Sequence, residues 1–191
     1  MRIHGICGSP RSRGNTYDAI AYLAGEMAGD DATVTIDELW DKQIADCTGC
    51  GSCRAEKTCE IQDDAQAVYG SARDADVLII GSPVYGGSLT GTLKNLLDRL
   101  CWWSSADDRA FEGKIGIPVV TGRRAGHNAV HSEIMMWMHI RGFIMVGSTY
   151  WNICVCPRAD EGIRQDEEFL RHGRNLAANV RGLYDKIAPI G

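Results

Sequence analysis

Arg2-Ile3-His4-Gly5-Ile6-Cys7-Gly8-Ser9-Pro10-Arg11-Ser12-Arg13-Gly14-Asn15-Thr16 reads as a short strand that runs into a turn rich in glycine, hydroxyl groups and arginine. The turn opens a helix, because Thr16, Ile20 and Leu23 recur at helical spacing. Each residue type in the turn has a use around a phosphate. Gly8 and Gly14 let the backbone turn tightly with its N–H groups inward, Ser9, Ser12 and Thr16 offer hydroxyl donors, and Arg11 adds a charge-assisted contact. Asn15 and Thr16 stand at the helix N-terminus, which favours an anion. Capping is the simpler use of Ser, Asn and Thr, but it accounts for one residue and not for nine. With neither a Gly-Lys-Ser/Thr ending nor a Gly-x-Gly-x-x-Gly pattern, the turn argues against nucleoside triphosphates and classical dinucleotides.

Working outward, further strand-like runs fall at Thr33 to Asp37, Asp76 to Ser82, Lys114 to Thr121 and Phe143 to Ser148, with helical stretches between them. Leu93, Leu96, Leu97 and Leu100 mark one such helix and Ile134 and Met138 another, while Asp160 to Lys186 has the composition of a closing helix. Alternation of this kind implies right-handed crossovers and a parallel sheet covered on both faces. The expected fold is therefore α/β, a flavodoxin-like three-layer sandwich with five parallel strands in the order 2-1-3-4-5, forming a single domain over residues 1–191. Ligands of such a sheet bind beyond the carboxyl ends of strands 1 and 3.

The loop after the third strand reads Gly81-Ser82-Pro83-Val84-Tyr85-Gly86-Gly87-Ser88, followed by Leu93-Lys94-Asn95-Leu96-Leu97-Asp98-Arg99. Glycines allow close approach to a flat ring, Tyr85 offers an aromatic body and Pro83 stiffens the turn. Taken with the first loop, the pattern Gly-Ser-Pro-Arg-x-x-x-Asn-Thr and then Ser-Pro-Val-Tyr with Leu-Lys-x-x-x-Asp-Arg resembles the NADPH-dependent FMN reductase group of flavodoxin-like proteins, over most of the chain. The resemblance implies an FMN site on Ser9, Arg11, Ser12, Gly14, Asn15, Thr16, Pro83, Val84, Tyr85, Gly86 and Gly87. It also implies a third loop, after strand 4, in which Thr121, Gly122, Arg123 and Gly126 meet the pyrimidine end of the flavin. It assigns no role to Arg124 or His127.

Cys47-Thr48-Gly49-Cys50-Gly51-Ser52-Cys53 and then Cys59 give Cys-x2-Cys-x2-Cys-x5-Cys within thirteen residues. They lie in the long gap from Glu38 to Gln62, which lacks helix or strand periodicity, and long loops in compact proteins are usually functional or disordered. Glycine-bearing spacers this short let a backbone wrap an inorganic cluster. A four-cysteine zinc site normally uses two Cys-x-x-Cys hairpins set further apart, and a regulatory disulfide or idle thiols are the remaining readings. At its four cysteines the motif resembles that of the iron-sulfur flavoprotein family, which implies that Cys47, Cys50, Cys53 and Cys59 ligate a [4Fe-4S] cluster. Cys7 and Cys101 read as small hydrophobes. Cys154-Val155-Cys156-Pro157 imitates a ferredoxin ending but lacks the upstream ligands.

The remaining features are bland. The Met-rich stretch Ile134 to Gly142 reads as core or subunit interface, Trp102-Trp103 as packing or a flavin shield, and Asp63-Asp64 as a helix cap rather than a magnesium site. Composition agrees: 20 basic and 25 acidic residues leave a net charge of −5, which draws the chain neither to nucleic acid nor to an anionic membrane. No run approaches the roughly 18 apolar residues of a membrane span. Eight cysteines without a secretory leader point to the cytoplasm and to metal or redox chemistry.

The expected function is that of an FMN-dependent oxidoreductase that relays electrons between FMN and the cluster, with no general base nominated. The resemblance implies a ferredoxin-like donor or NAD(P)H, a small-molecule acceptor, and a homodimer or homotetramer in which each cluster faces a neighbour's FMN. The alternatives are an NAD(P)H-dependent FMN or quinone reductase without a cluster and, more distantly, a zinc-bearing binding module that is not an enzyme.

Overall fold

A computed structural model describes residues 1–156 and 162–187. In chain order the elements are β1 (Arg2–Cys7), α1 (Asn15–Met27), β2 (Thr33–Glu38), α2 (Ser52–Glu56), α3 (Ala65–Asp74), β3 (Val77–Pro83), α4 (Gly91–Ala106), β4 (Ile115–Gly122), α5 (His127–Ile140), β5 (Ile144–Met145), β6 (Ile153–Val155) and α6 (Glu167–Ile187), with a 3₁₀ turn at Ile163–Gln165 before α6. The strands form one sheet in the order β2-β1-β3-β4-β5, and β6 also pairs with β4. Every pairing is parallel.

The register explains where a site can form. Cys7, the last residue of β1, is level with Glu38, the last of β2, and with Gly81, two residues before the end of β3. Their loops therefore emerge at one edge of the sheet. The strands are near-continuous apolar runs because both faces are covered. On one face α1 and α6 bury Ile20, Leu23, Phe169 and Leu176 against Ile3, Ile79 and Ile117. On the other, α3, α4 and α5 bury Val68, Leu96 and Ile134 against Ile6, Leu78 and Val120.

Three local expectations change. The predicted strand Phe143 to Ser148 is divided: β5 covers two residues and pairing with β4 resumes only at Ile153. The cause lies on α6. His172 O accepts the Ser148 hydroxyl at 2.8 Å, Asn175 donates to the Thr149 hydroxyl at 3.2 Å and Asn179 donates to Gly147 O at 2.9 Å. These bonds hold residues 147–149 off the sheet. The gap from Glu38 to Gln62 carries the short helix α2. The closing helix begins at Glu167, and the expected residues Asp160 and Glu161 lie outside the described residues.

Candidate functional site

A cavity is built from each of the two sequence motifs. The larger, of about 400 Å³, is lined by Ser9, Arg11, Ser12, Gly14, Asn15, Thr16, Pro83, Val84, Tyr85, Thr121, Gly122, Arg123 and Cys156. All the expected flavin residues are there except Gly86, Gly87 and Gly126. Gly86 and Gly87 form the tip of a turn in which Tyr85 and Ser88 exchange backbone hydrogen bonds at 2.9 and 3.0 Å. Gly126 caps α5.

The loops are braced to one another. The Gly8 N–H donates to Gly81 O at 2.8 Å and the Thr90 hydroxyl donates to Gly8 O at 2.7 Å. Val84 N–H donates to Thr121 O at 3.0 Å. Thr16 and Thr121 share a buried hydroxyl–hydroxyl contact of 2.7 Å. One of the two donates to the other, which leaves one hydroxyl hydrogen for a ligand. Ser9 Oγ accepts the Arg11 N–H at 3.1 Å and so fixes the loop. The two glycines differ from expectation. Gly14 has ordinary extended backbone, and Gly8 is needed for proximity, since a Cβ there would sit 2.8 Å from Leu93 Cδ2 and 3.1 Å from Gly81 O.

Of the loop's arginines, Arg11 faces the cavity. Arg13 is committed elsewhere: its N–H donates to Glu38 at 2.7 Å, its guanidinium pairs with Glu38 at 3.5 Å, and it lies 4.3 Å over the Tyr17 ring. The combination of an arginine, hydroxyls and a helix N-terminus suits a phosphate. The apolar and aromatic wall of Pro83, Val84 and Tyr85 suits a flat ring. These residues fit FMN. Glu133 on α5 steadies that wall, accepting the Ser88 hydroxyl at 2.9 Å and the Leu89 N–H at 3.3 Å. Sequence reasoning missed it because it is separated from the loop by 45 positions.

The second cavity, of about 210 Å³, is lined by all four clustered cysteines together with Arg99, Trp102 and Trp103. Gly51 caps α2 in the left-handed conformation with φ 79°, a turn that a side chain would disfavour. Among the described residues no three His, Cys, Asp or Glu side chains are arranged to hold a metal ion. The four expected ligands share one wall of this cavity. A single ion draws its sulfurs to about 2.3 Å from one point, whereas a cluster spreads its ligands over several irons. The shared wall is compatible with the wider arrangement.

Arg99 organises this wall. Its side chain is 1% exposed, and it donates to Asp63 at 2.5 Å, to Ile61 O at 3.0 Å and to Cys59 Sγ at 3.4 Å. Asp63 also accepts the N–H groups of Ala45 at 2.9 Å and Ala65 at 3.0 Å. Burial pushes its carboxyl up, but Arg99 and these amides hold it below the ordinary value. Asp64 is the N-cap residue of α3 but its side chain makes no capping bond and accepts the Gln43 N–H at 2.7 Å, while Asp63, one residue earlier, takes the N–H of Ala65. Trp103 packs on Tyr69, with ring centroids 4.0 Å apart, and donates to Lys57 O at 3.0 Å. Arg54 lies 4.8 Å over Trp102. Arg99 had a legible signal: at Leu96, Arg99, Leu100 and Trp103 it falls on an apolar helical stripe, where a charge requires a partner.

The fold and the larger cavity define a class, the flavodoxin-like oxidoreductases. Solved structures agree on the fold. The apo form of an NADH:FMN oxidoreductase superposes with a TM-score of 0.70 at 19% identity, over 95% of this chain and 89% of that one. A WrbA-like flavodoxin from Agrobacterium tumefaciens gives a TM-score of 0.63 at 15% identity, over 97% of each. Residues 1–155 match the family described as NADPH-dependent FMN reductase. An iron-sulfur flavoprotein of Methanosarcina thermophila is 36% identical over 77% of this chain and 78% of its own. Another, of Methanocaldococcus jannaschii, is 32% identical over 90% of each. The chain belongs to the NADPH-dependent FMN reductase family and, within it, to the iron-sulfur flavoproteins. It is an FMN-dependent oxidoreductase.

Proposed function

We propose that the chain is an electron relay of one domain, holding FMN in the larger cavity and a [4Fe-4S] cluster on Cys47, Cys50, Cys53 and Cys59. The reading rests on one observation: each of the two motifs lines a cavity of its own, and α4 lines the cysteine cavity while its N-cap residue braces the loop after β1. Thr90, at the N-cap of α4, donates to the loop after β1, and Arg99 lies eight residues beyond Gly91, about 12 Å along the helix. The names of the iron-sulfur relatives support the cluster.

When bound, FMN accepts a hydride or releases single electrons and the cluster carries one electron at a time, so the pair converts between these modes. The chain's residues bind and orient. Arg11 and the α1 N-terminus hold the phosphate, with Ser12, Asn15 and the spare hydroxyl of the Thr16–Thr121 pair beside it. Val84 and Tyr85 cover one side of the ring, and Arg123 meets its polar end. At the cysteine wall, the Arg99 guanidinium donates to the Cys59 sulfur and positions it. Trp102 and Trp103 limit water there.

The donor is a ferredoxin-like protein or NAD(P)H, the acceptor a small molecule, and the setting the cytoplasm. No helix among the described residues is long and apolar enough to cross a membrane. The working form is a homodimer or homotetramer. Trp102 at 52%, Met136 at 69% and Ile140 at 68% exposure leave apolar surface of the kind that interfaces cover. Met138 and Trp103 are buried in the core.

Iron and acid-labile sulfide analysis on anaerobically purified protein, with its visible spectrum and chromatography of heat-released flavin, tests the reading. Stoichiometric iron, sulfide and FMN are expected. Flavin without iron would instead favour an NAD(P)H-dependent FMN or quinone reductase, the reading that the family's description supports.

A further inference from the structure

Cys154 and Cys156 stand apart from the four clustered cysteines. Cys154 lies in β6, and Cys156 extends the ladder, its N–H donating to Gly122 O at 2.8 Å. Residues two apart in extended chain face the same side, here the side packed by α1 and α6. Their sulfurs are 3.3 Å apart. Cα atoms two residues apart in a strand are about 6.6 Å apart, inside the limit of roughly 6.8 Å over which a disulfide closes. Between them, Val155 N–H donates to Asp166 Oδ2 at 2.7 Å and fixes the segment.

Access divides the pair. Cys154 is wholly buried, whereas Cys156 lines the larger cavity beside Asn15 and Thr16. A reagent in that cavity meets Cys156 first, with Cys154 directly behind it.

We propose that Cys154 and Cys156 are a reversible dithiol–disulfide pair in the wall of the larger cavity, closed by exchange with a small-molecule disulfide. Cys156 thiolate attacks one sulfur of the disulfide, whose S–S bond breaks to release the first thiolate and leave a mixed disulfide on Cys156. Cys154 then gives up its proton and attacks the Cys156 sulfur, and the second thiolate leaves. The two released thiolates take up the two protons that the cysteines lose. The cysteines are oxidised by two electrons and the small disulfide is reduced to two thiols.

The electrostatics support this order. The Cys154 S–H donating to Cys156 raises the first thiol and lowers the second, and the thiolate is the attacking species. Cys7, in the same buried cluster, is pushed up to about 11 by burial and stays a thiol.

The test equilibrates the purified full chain, with FMN bound and with FMN removed, in series of oxidised and reduced glutathione under anaerobic conditions, followed by acid quench, alkylation and peptide mass analysis. The peptide carrying both cysteines should lose two hydrogens with no glutathione adduct. Cys154→Ser should stop at the mixed disulfide on Cys156, and Cys156→Ser should leave Cys154 unreacted. Two alkylatable thiols at the most oxidising ratio, or a stable adduct in the unaltered chain, would overturn the proposal. FMN at about ten times its Kd should slow closure roughly tenfold by occupying the cavity. Closure at one rate with and without FMN would keep the pair and remove FMN from this wall, so that failure of the flavin assignment is told apart from failure of the dithiol.

Discussion

The two cavities are made in different ways. The larger is a product of topology: β1, β3 and β4 end near one level, and their loops have no other place to go. Backbone hydrogen bonds between the loops, such as Gly8 to Gly81 and Val84 to Thr121, hold it together. The cysteine cavity is an insertion after β2, held largely by side chains from α4 that reach back to it. Asn95 donates to Ile44 O at 3.3 Å, Arg99 ties down Cys59, Ile61 and Asp63, and Trp103 binds Lys57 O. A site at strand ends inherits the stability of the sheet. A site on a loop depends on a few buried polar contacts, and the two should therefore fail separately.

The largest expected effect is on Cys59→Ala, which should lose the cluster, from about four irons per chain to near none, while FMN content is unchanged. Full iron and sulfide in that variant would mean that Cys59 is not a ligand. If electrons enter through the cluster, the variant should also be reduced slowly by a reduced ferredoxin yet readily by a small chemical reductant.

Arg99→Met comes next. Removing one partner of a buried pair costs about 3 to 5 kcal/mol, so denaturant unfolding should show a loss of that order. Anaerobic iron content should fall with it, and the flavin of the folded fraction should remain. Equal loss of iron and flavin would break the distinction between the two cavities.

Arg11→Ala should weaken FMN by about 1.5 to 3 kcal/mol, the range for hydrogen bonds to charged groups, with iron content intact. Fluorescence titration of the flavin measures it, and an unchanged Kd would take Arg11 out of the phosphate site.

The smallest effect serves as a control at the opposite edge of the sheet. Burial pushes Asp76 up, but Arg2, at 2.9 Å, and the Tyr184 hydroxyl, at 3.2 Å, hold its carboxyl below the ordinary 3.8. A depressed carboxyl gives stability above its unfolded pKa and loses it as pH falls through the lower folded value. Asp76→Asn should thus cost under about 1 kcal/mol at neutral pH, as exposed pairs do, and the gap should close below pH 3.8. Thermal unfolding across that range checks it, and a gap that widens with acid would reverse the assignment.

The strand order and most of the larger cavity were legible because they depend on local pattern. Apolar runs set the strands, and Ser9-Pro10-Arg11 and Pro83-Val84-Tyr85 follow directly on strand ends, where a parallel sheet gathers its loops. The density of four cysteines was equally plain. Less legible was what each residue touches. Ser9 fixes its own loop, and Thr16 pairs with Thr121 across 105 positions. Cys156, dismissed with its Cys-x-Cys partner as an imitation of a ferredoxin ending, lines the cavity. Pairing of β6 with β4 puts it there, after α6 has drawn residues 147–149 away from the sheet.

By itself, the sequence determined the parallel sheet, the edge at which ligands gather and the four cysteines as a unit, because periodicity and motif spacing act over a few residues. Tertiary structure alone decided that Arg99 holds the cysteine loop, that Glu133 steadies the loop after β3 and that Cys154 meets Cys156 beside the larger cavity. Those contacts join elements from different parts of the chain or depend on how one strand is seated, and only packing against the common core brings them within hydrogen-bonding distance.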